Sequence, residues 1–254
     1  MTTTATTDVA SIEPIGGTDA ERLAATEYAR FADQLESLGD DDWHRPTDCP
    51  LWDVRAMAGH SVGMMADFTS VRSVVRRLLS ARRVAKRDGG PLVDGMTATQ
   101  VADNSHWRTD ELIVRARQLG PRAARWRARA PRLLRSMPME EAVGGVAETW
   151  RIGYLLDTIL TSDPWMHRVD IARATGRELV LSAEHDGRIV ADVVGEWARR
   201  HGRPFTLTLT GPAGGRFVSG GGEGEEITLD AVDYCRILSG RASGEGLLTQ
   251  EVPF

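Results

Sequence analysis

Asp163 and His167 are the residues whose types and spacing best fit chemistry. They lie four positions apart in TSDPWMHRVDIARA, a spacing that places both side chains on one face of a helix. A carboxylate and an imidazole from one helix, met by a third ligand from elsewhere, can hold a divalent metal with coordination positions left open for a substrate. We predict that His60, about a hundred positions upstream, is that third ligand.

Other interpretations of the same residues are open at this point. His167 could be a core histidine bonded to Asp163. Ser162, Asp163 and Pro164 resemble an N-cap followed by proline at the first helical position, in which case Asp163 would bond backbone N–H groups. If the helix instead continues, Pro164 removes one backbone hydrogen bond and favours a kink.

Two further residues could belong to such a site. Asp170 follows His167 by three positions, so it could accept a hydrogen bond from the imidazole and orient it, or pair with Arg173 or Arg168. His60 taken alone could be a histidine at the edge of the core, and His106 is then the reserve ligand.

The composition is that of an ordinary soluble protein. The chain has 254 residues, a net charge of -5 and 26% charged residues, and no apolar run near the roughly 20 residues of a membrane-spanning helix. The start of the chain lacks the basic and apolar segments of a secretory signal, so we expect a cytoplasmic protein. Cys49 and Cys235 are the only cysteines, too few for a disulfide framework or a thiolate zinc cage, and we interpret both as packed or connector residues.

Helical periodicity and capping signals predict the elements that position these residues. Five helices are expected in the first part of the chain. The first spans Thr18 to Gly39, and the second begins at about Leu51, contains His60 and stops towards Gly89. The next two begin at Thr97 and at about Gly120, and the fifth runs from near Glu148 to Gly176. The later chain changes character, with a helix over Ser182–His201, strands at Phe205–Thr210, Arg216–Val218 and Glu226–Leu229, and a last helix capped by Asp230. These patterns predict a flexible tail over 1–17, a helical bundle over 18–178 and a small α/β domain over 179–254.

A run of arginines raises a separate hypothesis. The segment from Arg115 to Arg135 holds eight arginines and no acidic residue, and a basic stripe can follow phosphates. Arginine is also common on solvated helix faces, and the net charge and the lack of regularly spaced stacking aromatics argue against a nucleic-acid binder.

Two segments resemble a known family. WHRPTDCPLWDVRAMAGH (43–60) is similar to the N-terminal signature of the mycothiol-dependent maleylpyruvate isomerase family, within the broader DinB-like metalloproteins, and DPWMHRVDIARATG (163–176) looks like its second signature. The resemblance covers most of 18–178. It implies a DinB-like four-helix bundle, and the C-terminal part is similar to the small sterol-carrier-like α/β domain that often follows.

The resemblance also implies a site and a chemistry. His60, Asp163 and His167 fall on the family's three metal ligands, and the metal is typically zinc; the middle ligand is commonly Glu, where this chain has Asp163. The implied cofactor is mycothiol, a thiol whose sulfur binds the metal. Arg241 resembles an arginine that holds an anionic substrate, with Arg236 as the second choice.

The leading hypothesis is therefore an isomerase or thiol transferase that acts on a small electrophilic, anionic substrate. The alternative is a noncatalytic metal- or small-molecule-binding protein of stress response or regulation. Thiol-dependent turnover separates the two.

Overall fold

A computed structural model describes residues 5–254. Its helices are α1 (Gly17–Glu36), α2 (Val54–Asp67), α3 (Val71–Asp88), α4 (Leu92–Asn104), α5 (Thr109–Ala128), α6 (Arg132–Ser136), α7 (Ile152–Tyr154), α8 (Leu160–Thr175), α9 (Asp186–His201) and α10 (Ala231–Leu238). Its strands are β1 (Thr6–Asp8), β2 (Pro138–Val143), β3 (Val146–Arg151), β4 (Phe205–Thr210), β5 (Gly215–Ser219) and β6 (Glu225–Asp230). A π-helix, Leu155–Ile159, directly precedes α8.

The described chain forms two compact units. The bundle unit comprises Gly17–Arg135 and Asp163–Glu178, and the sheet unit comprises the described residues up to Gly16, Ser136–Ser162 and Leu179–Phe254. Residues 136–162, which fall inside the predicted range 18–178, therefore group with the sheet unit.

The bundle unit buries the apolar faces of amphipathic helices. Helix α1 packs on α5, and α2 packs on both α4 and α5, while α3 lies on α4. The approach of α2 to α4 depends on Gly63, because a Cβ at this position would lie 2.8 Å from the Cβ of Gln100. A larger residue there would push the two helices apart.

The sheet unit is built on a four-stranded sheet in the order β1-β5-β4-β6. Strand β4 runs antiparallel to β5 and parallel to β6. Its residues Phe205, Leu207 and Leu209 are buried, so the alternation of FTLTLT marks a strand with one buried face. Asp230 caps α10 by accepting hydrogen bonds from two backbone N–H groups, as predicted.

The N-terminal tail prediction is wrong for the residues that the structure describes. Thr6–Asp8 form β1 and pair in parallel with β5, while the N–H of Ile15 donates to Asp192 at 2.8 Å. The rest of the prediction, residues 1–4, lies outside the described residues. The pairing partner lies more than 200 positions away, so the local sequence holds no signal for it.

A hairpin replaces the polar link and helix start predicted around Glu148. Strands β2 and β3 pair antiparallel through the turn Gly144–Gly145, in which both glycines have positive φ angles, 55° and 78°. Such a two-residue turn matches the twist of a hairpin and favours glycine.

Three predicted helix boundaries also differ from the structure. The long helix predicted from Leu51 is two helices, because α2 ends near Phe68 and Ser70 caps α3 by accepting from Ser73 N–H at 3.1 Å. The start of α4 is Leu92, directly after Pro91, and not Thr97. Pro121 does not begin a helix but lies inside α5.

The predicted fold class, a helical bundle with a small C-terminal α/β part, is confirmed. Among residues 5–254, none of the helices combines the length and the apolar character needed to cross a membrane.

Candidate metal centre

A proline-containing turn prepares the start of α2, the helix that carries His60. The N–H of Trp52 donates to the carbonyl of Cys49 at 2.9 Å, with Pro50 at the second position of the turn, where its fixed φ angle is suited. The hydroxyl of Thr47 donates to the carbonyl of Trp52 at 2.8 Å. Asp53 then caps α2 by accepting from the N–H of Ala56 at 2.8 Å.

Helix α8 supplies the other two predicted ligands. It runs unbroken from Leu160 to Thr175 with Pro164 inside, so Asp163 is not the N-cap of a new helix. Pro164 offers no N–H to the carbonyl of Leu160, and the preceding turn is a π-helix. Such local departures from α geometry are frequent at functional sites.

Buried polar contacts hold α8 against α1. The guanidinium of Arg168 donates to both carboxylate oxygens of Glu27, at 3.2 and 3.0 Å, and the amide of Gln34 donates to the carbonyl of Arg168 at 2.9 Å. Arg168 adjoins His167 in sequence, so this ion pair fixes the rotation of α8 at the site.

The structure brings the three predicted ligands together. Nε2 of His60 lies 3.5 Å from Oδ2 of Asp163, and Nε2 of His167 lies 3.2 Å from Oδ1. One potential ligand atom of each residue lies within 4.8 Å of those of the other two. Both imidazoles are buried, whereas the Asp163 side chain is 20% exposed, so the cluster is open on the side of the carboxylate.

The donor set fits a divalent metal. Bonds of about 2.0–2.1 Å to a tetrahedral zinc ion place neighbouring ligand atoms about 3.4 Å apart. The nitrogen–oxygen distances here are close to that value, 3.5 Å from His60 to Oδ2 and 3.2 Å from His167 to Oδ1, although they involve different oxygens of Asp163. Buried Oδ2 of Asp163 and buried Nε2 of His167 also have no hydrogen-bond partner among the described residues. Because an unpaired buried polar atom is costly, these atoms indicate that an external group completes the cluster.

Asp170 and Cys49 lie on the other edge of the His167 ring. Oδ2 of Asp170, which is fully buried, lies 3.1 Å from Nδ1 of His167. The thiol of Cys49 donates to the same oxygen at 3.9 Å. With a proton on Nδ1 shared with this carboxylate, Nε2 keeps its lone pair for the cluster.

The charges of the cluster depend strongly on one another. Burial acts to raise the pKa of the Asp163 carboxyl, but the imidazoles of His167 and His60 outweigh it and hold the pKa well below its usual range. Burial acts to lower the pKa of His167, but the carboxylates of Asp163 and Asp170 outweigh it and raise the pKa to about 9. Without a metal the imidazole therefore keeps a proton, and a cation that binds there must displace it.

The other candidate residues lie elsewhere. Arg241 follows α10 in the sheet unit, and its N–H donates to the carbonyl of Arg236 at 2.9 Å; the guanidinium of Arg236 lies 3.6 Å from Asp233. His106 is exposed, stacks on Trp107 and does not belong to the cluster of ligands.

The arginine run is not one uninterrupted exposed stripe. Arg127 is buried and bonded to the hydroxyl of Tyr28, and Arg117 pairs with Asp33 and Glu36. Arg127 is therefore not available on the surface, and the charge of Arg117 is paired within the bundle unit.

Sequence reasoning missed one aromatic neighbour of the ligands, Trp52, and did not single out Tyr28. The Trp52 ring lies 4.8 Å from the His60 ring and 5.8 Å from the His167 ring, measured between centroids. Burial raises the pKa of Tyr28, Arg127 opposes that rise, and the charge of Asp163 adds to it. The signal for Trp52 is its place in the 43–60 segment, whereas Tyr28 reads as one more apolar residue of α1.

The fold and the site define a helical-bundle protein with a candidate metal centre of two histidines and one aspartate. The family model described as mycothiol maleylpyruvate isomerase N-terminal domain matches residues 24–172. Since the match covers more than half of the chain, the protein belongs to this family.

Solved structures agree with this assignment at the level of the fold. The crystal structure of the mycothiol-dependent maleylpyruvate isomerase gives a TM-score of 0.54 at 15% identity, over 92% of this chain and 94% of that chain. A crystal structure of a mutant of such an isomerase gives 0.53 at 14% identity, over 89% of each chain. No curated protein matches the chain.

Proposed function

We propose that the protein is a metal-dependent enzyme that uses a low-molecular-weight thiol, mycothiol, to isomerise a small electrophilic anion or to transfer the thiol to it. His60, Asp163 and His167 hold the metal in this proposal, with zinc as the expected ion. The observation that carries it is the convergence of one ligand atom from each of the three residues within 4.8 Å of one another, with Oδ2 of Asp163 and Nε2 of His167 buried and without a hydrogen-bond partner in the described part of the chain. Membership of the mycothiol maleylpyruvate isomerase family supports the choice of thiol and reaction.

Each residue of the site has a defined task. A bound divalent metal stabilises the thiolate form of a sulfur ligand at neutral pH. Asp170 accepts the Nδ1 proton of His167 and so keeps Nε2 available as a ligand. Trp52 packs against both imidazoles and excludes water from that side of the cluster, while the partly exposed Asp163 leaves a route for the thiol and the substrate.

When the proposed reaction is an isomerisation, no thiol is consumed. The thiolate adds to one carbon of an activated cis double bond, the remaining single bond rotates, and elimination of the thiolate restores the double bond in the trans form. Protonation of the adduct in place of elimination gives net thiol transfer. Arg241 is proposed to hold a substrate carboxylate, because paired guanidinium donors match both oxygens; Arg236 is the second choice.

Thiol-dependent turnover of maleylpyruvate tests the proposal. Zinc-loaded protein with mycothiol should convert the cis acid to its trans isomer. His167→Ala should lower kcat/KM by at least about 100-fold, because it removes the imidazole whose Nε2 is a proposed metal ligand. The exposed His106→Ala is the matched histidine control and should keep wild-type activity. Arg241→Lys should raise KM more than it lowers kcat.

Other outcomes separate this proposal from its alternative. Stoichiometric metal without turnover for a series of cis-unsaturated acids would favour a noncatalytic metal-binding protein. Equal turnover with and without thiol would exclude the thiol mechanism.

A further inference from the structure

The His167 ring faces potential ligand atoms on both of its edges. Nε2 faces Asp163, whereas Nδ1 faces Asp170 and Cys49. The sulfur of Cys49, a carboxylate oxygen of Asp170 and a ring nitrogen of His167 lie within 4.8 Å of one another. This second group contains a thiol, which the group of His60, Asp163 and His167 lacks.

The spacing of these atoms fits a metal ion. The distance from Nδ1 of His167 to Oδ2 of Asp170 is 3.1 Å, and from Sγ of Cys49 to the same oxygen it is 3.9 Å. A tetrahedral zinc ion bound at about 2.1 Å to oxygen and about 2.3 Å to sulfur separates oxygen and sulfur by about 3.6 Å. A larger divalent cation lengthens this separation towards the observed value. The 3.1 Å between Nδ1 and Oδ2 is shorter than the about 3.4 Å that tetrahedral zinc gives, so these two atoms must move apart when an ion binds.

The group is also preformed and accessible. His167 and Asp170 are buried, and the turn that contains Pro50 fixes the backbone next to Cys49. Cys49 itself is partly exposed, so an ion can reach the sulfur without unfolding of the bundle unit.

We propose that Cys49, Asp170 and His167 form a second cation position, selective for thiophilic divalent ions such as Cd²⁺. A thiolate ligand favours soft cations over the harder ions that prefer nitrogen and oxygen alone. Binding replaces the thiol proton of Cys49 and the Nδ1 proton of His167, and the net result is release of protons to solvent.

The two positions compete for one imidazole. A neutral imidazole has a single unprotonated nitrogen, so ligation through Nδ1 leaves the ring proton on Nε2. His167 is then lost to the group that contains His60 and Asp163. The inference uses His167 in common with the proposed function, but Cys49 has no part in that function, so the two can fail separately.

Titration of metal-free protein with Cd²⁺ tests the second position. A thiolate-to-cadmium charge-transfer band in the ultraviolet should grow to saturation at one equivalent. Cys49→Ser, which keeps a hydrogen-bond donor for Asp170, should abolish the band. Cys235→Ser is the matched control and should retain it, because Cys235 is fully buried and burial raises the pKa of its thiol.

Variants of the predicted zinc ligands separate the two positions. His60→Ala should lose zinc but keep the cadmium–thiolate band, and His167→Ala should lose both, with circular dichroism as the check that each variant folds. The proposal is overturned if wild type shows no band, if the band survives Cys49→Ser, or if His60→Ala abolishes it. A loss of the band in His60→Ala would mean that the cysteine joins the first group. Absence of zinc binding together with a Cys49-dependent band would reject the proposed function and leave the second position standing.

Discussion

Helix α2 carries residues of two buried polar clusters whose carboxylates differ. Each cluster has buried side-chain atoms without a hydrogen-bond partner among residues 5–254, and at Asp67 these are Nη1 of Arg77 and Oε1 of Gln100, not the carboxylate oxygens. At Asp67 both carboxylate oxygens accept from Nε of Arg77, at 2.9 and 2.8 Å, and Gln100 donates to Oδ2 at 2.8 Å. At Asp163, two buried atoms of the cluster have no hydrogen-bond partner among the described residues, Oδ2 of the carboxylate and Nε2 of His167. The Asp67 carboxylate has hydrogen-bond partners at both oxygens. The Asp163 carboxylate faces two imidazoles, at 3.5 and 3.2 Å, and its Oδ2 has no hydrogen-bond partner in the described chain.

The difference distinguishes a structural cluster from a binding site. Burial of a carboxylate is costly, and a guanidinium that donates to it offsets much of the cost when the geometry is good. At Asp67 the single Nε–H of Arg77 is shared between both oxygens. The Asp67 pair joins α2 to α3 and gives no opening for a ligand. In the Asp163 group a carboxylate oxygen itself lacks a hydrogen-bond partner among the residues that the structure describes, a cost that an added cation would offset.

The largest expected effect is on stability, at the Asp67 cluster. Arg77→Met leaves the Asp67 carboxylate buried without its cation, and the free energy of unfolding should fall by about 3–5 kcal/mol. Denaturant unfolding of the metal-free protein measures the change. A loss below about 1 kcal/mol would show that the two clusters do not differ in the way described.

A smaller effect is expected on metal affinity, at the other cluster. Asp170→Asn replaces the carboxylate behind His167 with a weaker acceptor, and the dissociation constant for zinc should rise about 10–100-fold. Competition with a chromophoric chelator measures it. Asp67→Asn is the matched control on the structural cluster, and an equal loss of affinity there would contradict a specific role for Asp170.

The smallest expected effect concerns Glu148, a carboxylate of the sheet unit. Glu148 accepts from Arg200 through both oxygens, and these hydrogen bonds, opposed by burial, lower its pKa from 4.5. A lowered folded pKa means that the stabilisation is present above pH 4.5 and is lost as the pH falls through the folded pKa. Glu148→Gln should therefore flatten the acid limb of the plot of unfolding free energy against pH, and an unchanged slope would show that the pair contributes nothing.

The parts of the fold that the sequence predicts are those with local signals. The alternation of FTLTLT and the cap at Asp230 locate β4 and α10 correctly. The β2–β3 hairpin was missed although Gly144 and Gly145 are typical hairpin turn residues, because the surrounding acidic residues read as a polar link. The pairing of β1 with β5 depends on contacts that no local pattern contains.

Prediction of the site is limited in the same way, because only residues with a local signal can be found. The i, i+4 spacing and the two family-like segments predict that His60, Asp163 and His167 act together, and the structure brings them within reach of one ion. Whether Asp163 caps a helix could not be decided from Ser-Asp-Pro alone, since that depends on whether the turn before Pro164 stays helical. The place of Cys49 beside Asp170 is set by a tertiary contact between residues 121 positions apart.

Metal content is the most direct test of the central claim that the Asp163 group is a metal site. Protein purified without a metal-affinity tag and incubated with zinc should contain close to one ion per chain by elemental analysis. Asp67→Asn should retain that content, whereas His60→Ala and His167→Ala should both lose it. Absence of metal from the wild type, or stoichiometric metal in both histidine variants, would contradict the account.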